Sequence, residues 1–424
     1  MLKLLLTNGM IVADHSVEQK DILIEDQEII KVGKGLSDPA DKVIDLHGLA
    51  VFPGLVDMHV HLRDPGLTYK SDIYTGCCAA AAGGVTSVAC MPNTKPAIDS
   101  PETIQYIVDK ASTAKARVYP IASVTKGLEG SELVDFAALK EAGAVAFSDD
   151  GRPVENAAYL QRAMEAADKL GTRVISHCED LAIIDGGIIN KGQVSEQLGV
   201  KGMDRTSEDS ITAREIAIAA ATHTPIHIAH VSTRGSVALI RDAKRRGVRV
   251  TAETCPHYFI LTEEQLLKKD ADYRMNPPLR EEKDRQAIVE GIIDGTIDCI
   301  VTDHAPHAPK EKLDFETAPN GVIGLETSMA ATLTSLYHTG RLTLERIAQL
   351  MSGNPARILG IPGGQIAPGR DADIAVVNLH HKWTVDPDKL HSKSKNTVFK
   401  GMTFTGKPVM TICRGEIVYN ELDQ

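Results

Sequence analysis

The run LVDMHVHLRDPG, residues 55–66, decides how the rest of the chain is read. It opens apolar, as a strand covered on both faces must be. It then turns polar at His59, His61 and Arg63. On a strand, residues i and i+2 point to one face, so His59 and His61 can reach one metal ion together. Taken alone, such a pair is more often two polar histidines beside a turn. Repetition is what changes the reading.

Seven further runs have the same shape: VTSVACMPN (85–93), ARVYPIAS (116–123), AVAFSDDG (144–151), RVISHCED (173–180), IHIAHVS (226–232), VRVTAETCPH (248–257) and DCIVTDHAP (298–306). Helix-like segments lie between them, among them SDIYTGCCAAAAG, SPETIQYIVDKASTA, NAAYLQRAMEAADKLG, SITAREIAIAAATH and TRGSVALIRDAKRRG. Some of these stop at glycine, as helices often do. Eight strand–helix units predict an α/β fold of the (β/α)8 TIM-like barrel type. An open doubly wound sheet is the rival; it normally carries a Gly-rich phosphate loop after its first strand, and HVHLRDPG is not one. The flanks differ in style. KLLLTNGMIV, KDILIEDQEIIKVG and KVIDLHGLAVFP, then DADIAVVNL, HKWTVD and GKPVMTICRGEIVYN, predict short antiparallel strands, with turns at Asn-Gly, Asp-Gln and His-Gly in the first group.

Composition narrows the function classes. At roughly 150 residues per domain, 424 residues make two or three domains, or one barrel with additions. With 43% hydrophobic and 24% charged residues the chain can bury a core. A net charge of −11, with no basic run, argues against nucleic acid as a partner. No apolar stretch reaches the roughly 18 residues of a membrane span. The start, MLKLLLTNGMIVADHSVEQ, lacks a small-residue cleavage site and reads as mature protein rather than a signal peptide. Seven scattered cysteines fit reduced, buried thiols in a cytoplasmic protein.

Barrel strands end in polar residues where the C-terminal face does chemistry. Here those ends supply His59, His61, the Asp149-Asp150 pair, His177, His230 and Asp303. Converging on one rim, they suit one or two Zn2+-like ions. An Asp able to bridge two ions, with another Asp beside the activated water, suits a two-metal hydrolase. Which member of Asp149-Asp150 faces inward depends on register. Arg63 offers a planar fork for a carboxylate. Asn93 and Asn276 can pair with an amide, although both adjoin prolines and a turn role competes. The segment 305–321, APHAPKEKLDFETAPNG, could be a lid, placing His307, Asn320 and Gly321 against a ligand. His227 should face away from His230 as packed structure, His257 stays open, and His380 and His381 should be solvated. The residues thus predict a metal-dependent hydrolase of an anionic amide, with Asp303 shuttling the proton.

LVDMHVHLRDPG, CMPNT, FSDDG, SHCED, HIAHVST, TAETCPHY, MNPPLR and VTDHAPH together resemble the dihydroorotases of the amidohydrolase superfamily, closest to their type I bacterial form. The likeness spans nearly the whole chain, from NGMIV to GRDADIAVV. It implies a barrel over residues 53–365 and a small β-sandwich from residues 1–52 and 366–424. It implies reversible, zinc-dependent hydrolysis of the cyclic amide of (S)-dihydroorotate to N-carbamoyl-L-aspartate in pyrimidine (UMP) synthesis. His59 and His61 would hold one zinc, His177 and His230 the second. Asp150 would bridge where hydantoinases and allantoinases use a carboxylated lysine; AVAFSDDG contains no Lys. Asp303 would be ligand and general acid/base. His61, Arg63, Asn93 and His307 would hold the substrate, with Asn276, Asn320 and Gly321 as further contacts. The family's lid often has an aromatic residue before that glycine; here it is Asn320. A homodimer and an association with aspartate carbamoyltransferase are both open. The rival readings are another cyclic amidohydrolase, such as a hydantoinase, dihydropyrimidinase or allantoinase, and an inactive barrel kept as a partner of aspartate carbamoyltransferase.

Overall fold

The structure, a computed structural model, describes residues 3–13 and 16–422. Eight parallel strands stand side by side in chain order: Leu55–Val60, Val85–Cys90, Arg117–Ala122, Ala146–Phe147, Val174–Ser176, Ile226–Ile228, Val250–Thr254 and Cys299–Ile300. Each falls within one of the eight apolar runs. The first and last come together beyond their ends, where His61 N donates to His304 O at 2.8 Å and Val60 bridges His304, so the barrel is nearly closed. Most of these strand residues are buried, because helices cover the outside and side chains fill the inside.

The crossover helices begin where side chains can satisfy free N–H groups. Asp72, Ser100, Asn156 and Thr233 cap the helices Ile73–Ala82, Pro101–Ala111, Ala157–Lys169 and Arg234–Arg245. The segment expected to be helical from Ser210 starts earlier, as Thr206–Thr222, with Glu208 and Asp209 in its first turn, where acidic groups favour the positive helix end. Glu282–Asp294 has no side-chain cap at Glu281, and Glu282 and Asp284 in its first turn favour the positive helix end instead.

Both chain ends contribute to one nine-stranded sheet. Its central strand Lys3–Ala13 pairs antiparallel with Ser16–Glu25, which pairs antiparallel with Glu28–Gly33. Two expectations need correction. Lys42–Asp45 and Ala50–Pro53 run parallel to Lys3–Ala13, not antiparallel, because a long connection returns the chain before it pairs. Asn8-Gly9 is not a turn: the register shifts between Leu6 and Gly9, so the pair forms a bulge inside one strand. The link at residues 14–15, within the stretch read as mature protein, lies outside the described residues, as do 1–2 and 423–424. DADIAVVNL and HKWTVD merge into one strand, Ile374–Thr384, with a register shift between Asn378 and Lys382; His380 and His381 are exposed on it. That strand lies between Ala50–Pro53 and Thr403–Cys413. Leu4, Leu6, Ile22, Ile24, Ile374, Val376, Met410 and Ile412 form the apolar layer of the sheet. Gly54 N donates to Asp373 O at 2.8 Å, and Arg117 pairs with Asp373 and Asp371 at 3.0 and 2.9 Å, tying sheet to barrel. All seven cysteines are free and only Cys78 is not fully buried.

Candidate active site

Six side chains from five strand ends converge on the rim. His59 and His61 close the first strand; Asp150, His177, His230 and Asp303 follow the fourth, fifth, sixth and eighth. All are buried. One carboxylate organises them. Asp150 Oδ1 lies 3.4 Å from His59 Nε2, 3.5 Å from His177 Nδ1 and 3.3 Å from His230 Nε2, while Oδ2 lies 3.4 Å from His61 Nε2. The set therefore divides into two groups that share Asp150: His59 and His61 on one side, His177 and His230 on the other. Asp303 Oδ1 is 2.9 Å from His61 Nε2 and 3.6 Å from His59 Nε2.

Asp149, the other member of the pair, turns away. It accepts from the N–H groups of Val124 and Thr125 at 2.7 and 3.0 Å and from the Thr125 hydroxyl at 2.5 Å. Those bonds hold the loop and leave Asp150 facing the centre.

The outward ring nitrogens of three histidines have their own partners. His59 Nδ1 is 2.6 Å from Glu253 Oε1, His61 Nδ1 is 2.7 Å from Asn93 Oδ1, and His177 Nε2 is 3.2 Å from Glu179 Oε2. An acceptor there fixes the tautomer of the neutral ring, whose inward nitrogen then presents a lone pair as a metal ligand must; only the doubly protonated ring donates to the facing carboxylates. Glu253 also meets His227 Nε2 at 3.1 Å, and His227 Nδ1 meets the Thr251 hydroxyl at 2.8 Å. His227 is thus a buried structural histidine. Sequence reading missed Glu253 and Glu179. Glu253 stands out only as a carboxylate inside an otherwise uncharged barrel strand, which demands a partner. His257 is buried on the short helix Pro256–Ile260, its ring against Tyr258.

Charge follows from these contacts. Burial would raise Asp150, but a protonated His59 facing it, with His177 and His230 close by, holds it well below the usual carboxylate range. Burial likewise works against Asp303, and the His61 hydrogen bond with the charge of His59 overrides it, so Asp303 is lowered. Burial brings Arg63 down to about 10 against the opposing pull of Asp303 and Asp150, which leaves it cationic at neutral pH.

Arg63, His230 and Asp303 adopt left-handed backbone angles, φ 64°, 32° and 46°. Residues with a Cβ resist that region at a cost of about 1–2 kcal/mol each, so the fold holds these three where their side chains are needed.

A cavity of about 210 Å3 opens above the cluster. His61, Arg63, Asn93, Asp150, His177, Asn276, Asp303, His307, Asn320 and Gly321 all line it. Asn276 Nδ2 donates to Glu179 Oε1 at 2.9 Å, and Asn320 O faces His307 Nε2 at 2.8 Å. Gly321, at φ 141°, passes so close that a Cβ would stand 2.8 Å from Ala305 Cβ and 2.9 Å from His307 Nε2. Of the segment 308–321 only Asn320 and Gly321 line the cavity; the segment is anchored by Lys312 Nζ on the carbonyls of Ala271, Arg274 and Pro319 at 3.0, 3.1 and 2.8 Å. Two larger cavities, about 390 and 530 Å3, hold none of these residues; they lie against the terminal sheet and around residues 349–370.

The residues fit a metal centre. His59 Nε2 and Asp150 Oδ1 are buried without hydrogen-bond partners among the described residues, the state expected of ligand atoms. Imidazole nitrogen and carboxylate oxygen, each backed by an outer acceptor, suit a borderline divalent ion.

Comparison with known proteins agrees with this geometry. A family model described as "Dihydro-orotase-like" matches residues 48–236. The chain is 48% identical to the dihydroorotase of Syntrophus aciditrophicus (strain SB), covering 99% of this chain and 100% of that one. It is 50% identical to the dihydroorotase of Geobacter sp. (strain M21), covering 94% of each. Among solved structures, the L-hydantoinase (dihydropyrimidinase) of Arthrobacter aurescens superposes with a TM-score of 0.90 at 26% identity, over 99% of this chain and 97% of that one.

Proposed function

The chain belongs to the dihydroorotase family, and on that footing we propose that the rim cluster is the centre where the cyclic amide of (S)-dihydroorotate is opened to N-carbamoyl-L-aspartate and closed again. The activity is that of a dihydroorotase, a cyclic amide hydrolase. The observation that carries the site assignment is Asp150, one carboxylate shared by two histidine pairs beneath a cavity that also holds Arg63 and Asp303.

Residues 53–365 form the catalytic barrel in this reading, and 1–52 with 366–424 the flanking unit. His59, His61, Asp150, His177, His230 and Asp303 would hold one or two zinc ions. When bound, such ions polarise the amide carbonyl and activate water. Asp303 takes the proton of the attacking water and delivers it to the departing ring nitrogen; in ring closure the same carboxyl works in reverse. Arg63 and His307 hold the substrate carboxylate, while Asn93, Asn276 and the Asn320-Gly321 backbone orient the ring. The setting is cytoplasmic pyrimidine synthesis.

Two experiments test this reading. The purified protein is assayed in both directions, chelated and then reloaded with zinc, with and without added aspartate carbamoyltransferase. Chelator-sensitive turnover restored by zinc is expected; turnover indifferent to complete metal removal would sink the metal assignment. The hydantoinase-like solved structures make uncharged dihydrouracil the informative competitor. A site built around buried Arg63 should reject it, because an unpaired buried cation is costly.

A further inference from the structure

The loop after the first barrel strand carries a buried lysine to which the reading above gives no role. Lys70 is 9% exposed. Its Nζ lies 3.1 Å from Glu311 Oε1 in the lid segment and 3.2 Å from His307 Nδ1. An ammonium has three donors and no lone pair, so the ring nitrogen facing it must be the acceptor. The other nitrogen, Nε2, faces the Asn320 carbonyl at 2.8 Å, and a carbonyl only accepts. Both contacts require the same state, a neutral imidazole with its proton on Nε2.

The charges around the ring agree. Arg63, Lys70 and Lys312 surround it, and Glu311 Oε2, 3.7 Å from Nδ1, is the nearest carboxylate among the described residues. Burial and the three cations push His307 down to about 2, so it takes no second proton near neutrality. Arg63 Nη2 lies 3.4 Å from His307 Nε2. The single Nε2 proton is held by the Asn320 carbonyl in this structure, so an incoming two-oxygen anion would accept from Arg63 and share or take over that proton beside it.

We propose that Lys70 is a positioning residue for substrate recognition: by occupying His307 Nδ1 it fixes Nε2 as a donor beside Arg63, so the substrate carboxylate meets two donors. This rests on the assignment of Arg63 and His307 to that carboxylate. Without Lys70, Glu311 is placed to draw the ring proton to Nδ1. Nε2 would then turn a lone pair towards the carboxylate and repel it.

The test is steady-state kinetics of dihydroorotate hydrolysis by the zinc-loaded enzyme across pH 6–9, for wild type, Lys70→Met, Lys70→Arg, His307→Gln and the Lys70→Met/His307→Gln pair, with thermal melting of each. Lys70→Met should raise KM about tenfold at pH 8 and leave kcat within about twofold. Lys70→Arg, which keeps a donor at Nδ1, should recover most of the affinity. In the His307→Gln background Lys70→Met should add nothing further, as expected of two residues acting through one contact. An unchanged KM in Lys70→Met, or an equal rise with and without His307, overturns the proposal. If Lys70→Met does not fold, a Lys70→Arg enzyme of normal melting temperature with KM raised tenfold overturns it as well. A wild type that opens no dihydroorotate would overturn the functional reading itself, a result distinct from either.

Discussion

In the terminal sheet, Ile22, Ile24, Ile374 and Ile412 are at most 1% exposed and need only apolar neighbours. On the barrel rim, His59, Asp150, Asp303 and Arg63 are buried nearly as deeply, and each depends on a polar group brought from elsewhere in the chain. His59 and Glu253 are 194 residues apart, and Arg63 and His307 are 244 apart. An apolar side chain in the sheet can be trimmed and its surroundings partly collapse. A rim residue removed leaves its partner buried and unpaired, which costs more than the contact itself was worth. The sheet is thus built for tolerance and the rim for placement.

The contrast can be broken or sharpened by substitution. The largest effect is expected at Asp303. Asp303→Ala should lower kcat by about 10^3-fold or more, while the zinc content of the zinc-loaded protein, measured by atomic absorption, stays largely intact because the two histidine groups around Asp150 that could hold a metal remain. Near-normal turnover would remove Asp303 from the proton path. Arg63→Met should come next, lowering kcat/KM for dihydroorotate by about 100-fold and leaving any trace activity on dihydrouracil unchanged; equal losses on both substrates would deny Arg63 its carboxylate.

Glu253→Gln touches no substrate. It should weaken zinc binding by about 10-fold, read by competition with a chelator, because His59 loses its charged acceptor. Unaltered zinc affinity would make Glu253 ordinary barrel filling. The smallest effect belongs to the sheet. Ile412→Val should cost about 1 kcal/mol of unfolding free energy with KM and kcat unchanged. A kinetic change there would show that the sheet reaches the rim energetically and that the contrast is too sharply drawn.

What could be read from the chain itself divides along the same line. Apolar runs ending in His59, His61, His177, His230 and Asp303 report the barrel and its rim because strand patterning is local. The choice between Asp149 and Asp150 could not be made from alternation, since it hangs on which of them the Thr125 loop engages. Glu253, Glu179 and Lys70 escaped for a related reason. A buried charge declares its purpose only when its partner is known: those of Glu253 and Lys70 belong to distant segments, and Glu179, although beside His177 in sequence, is also held by distant Asn276. Asn8-Gly9 shows the opposite failure: a strong local turn signal was absorbed as a bulge because pairing with Ser16–Glu25 continues on both sides of it.

The sheet also has a place in the order of synthesis. Ala50–Pro53 lies between Lys3–Ala13, made just before it, and Ile374–Thr384, made more than three hundred residues later. Only Gly54 separates it from the first barrel strand. On the ribosome the sheet therefore keeps an open edge at Ala50–Pro53 while the whole barrel is translated, and such edges invite pairing with other chains. The late strands close the edge at which the barrel began. Until residues 374–413 are made, that edge therefore has no strand of its own chain to pair with.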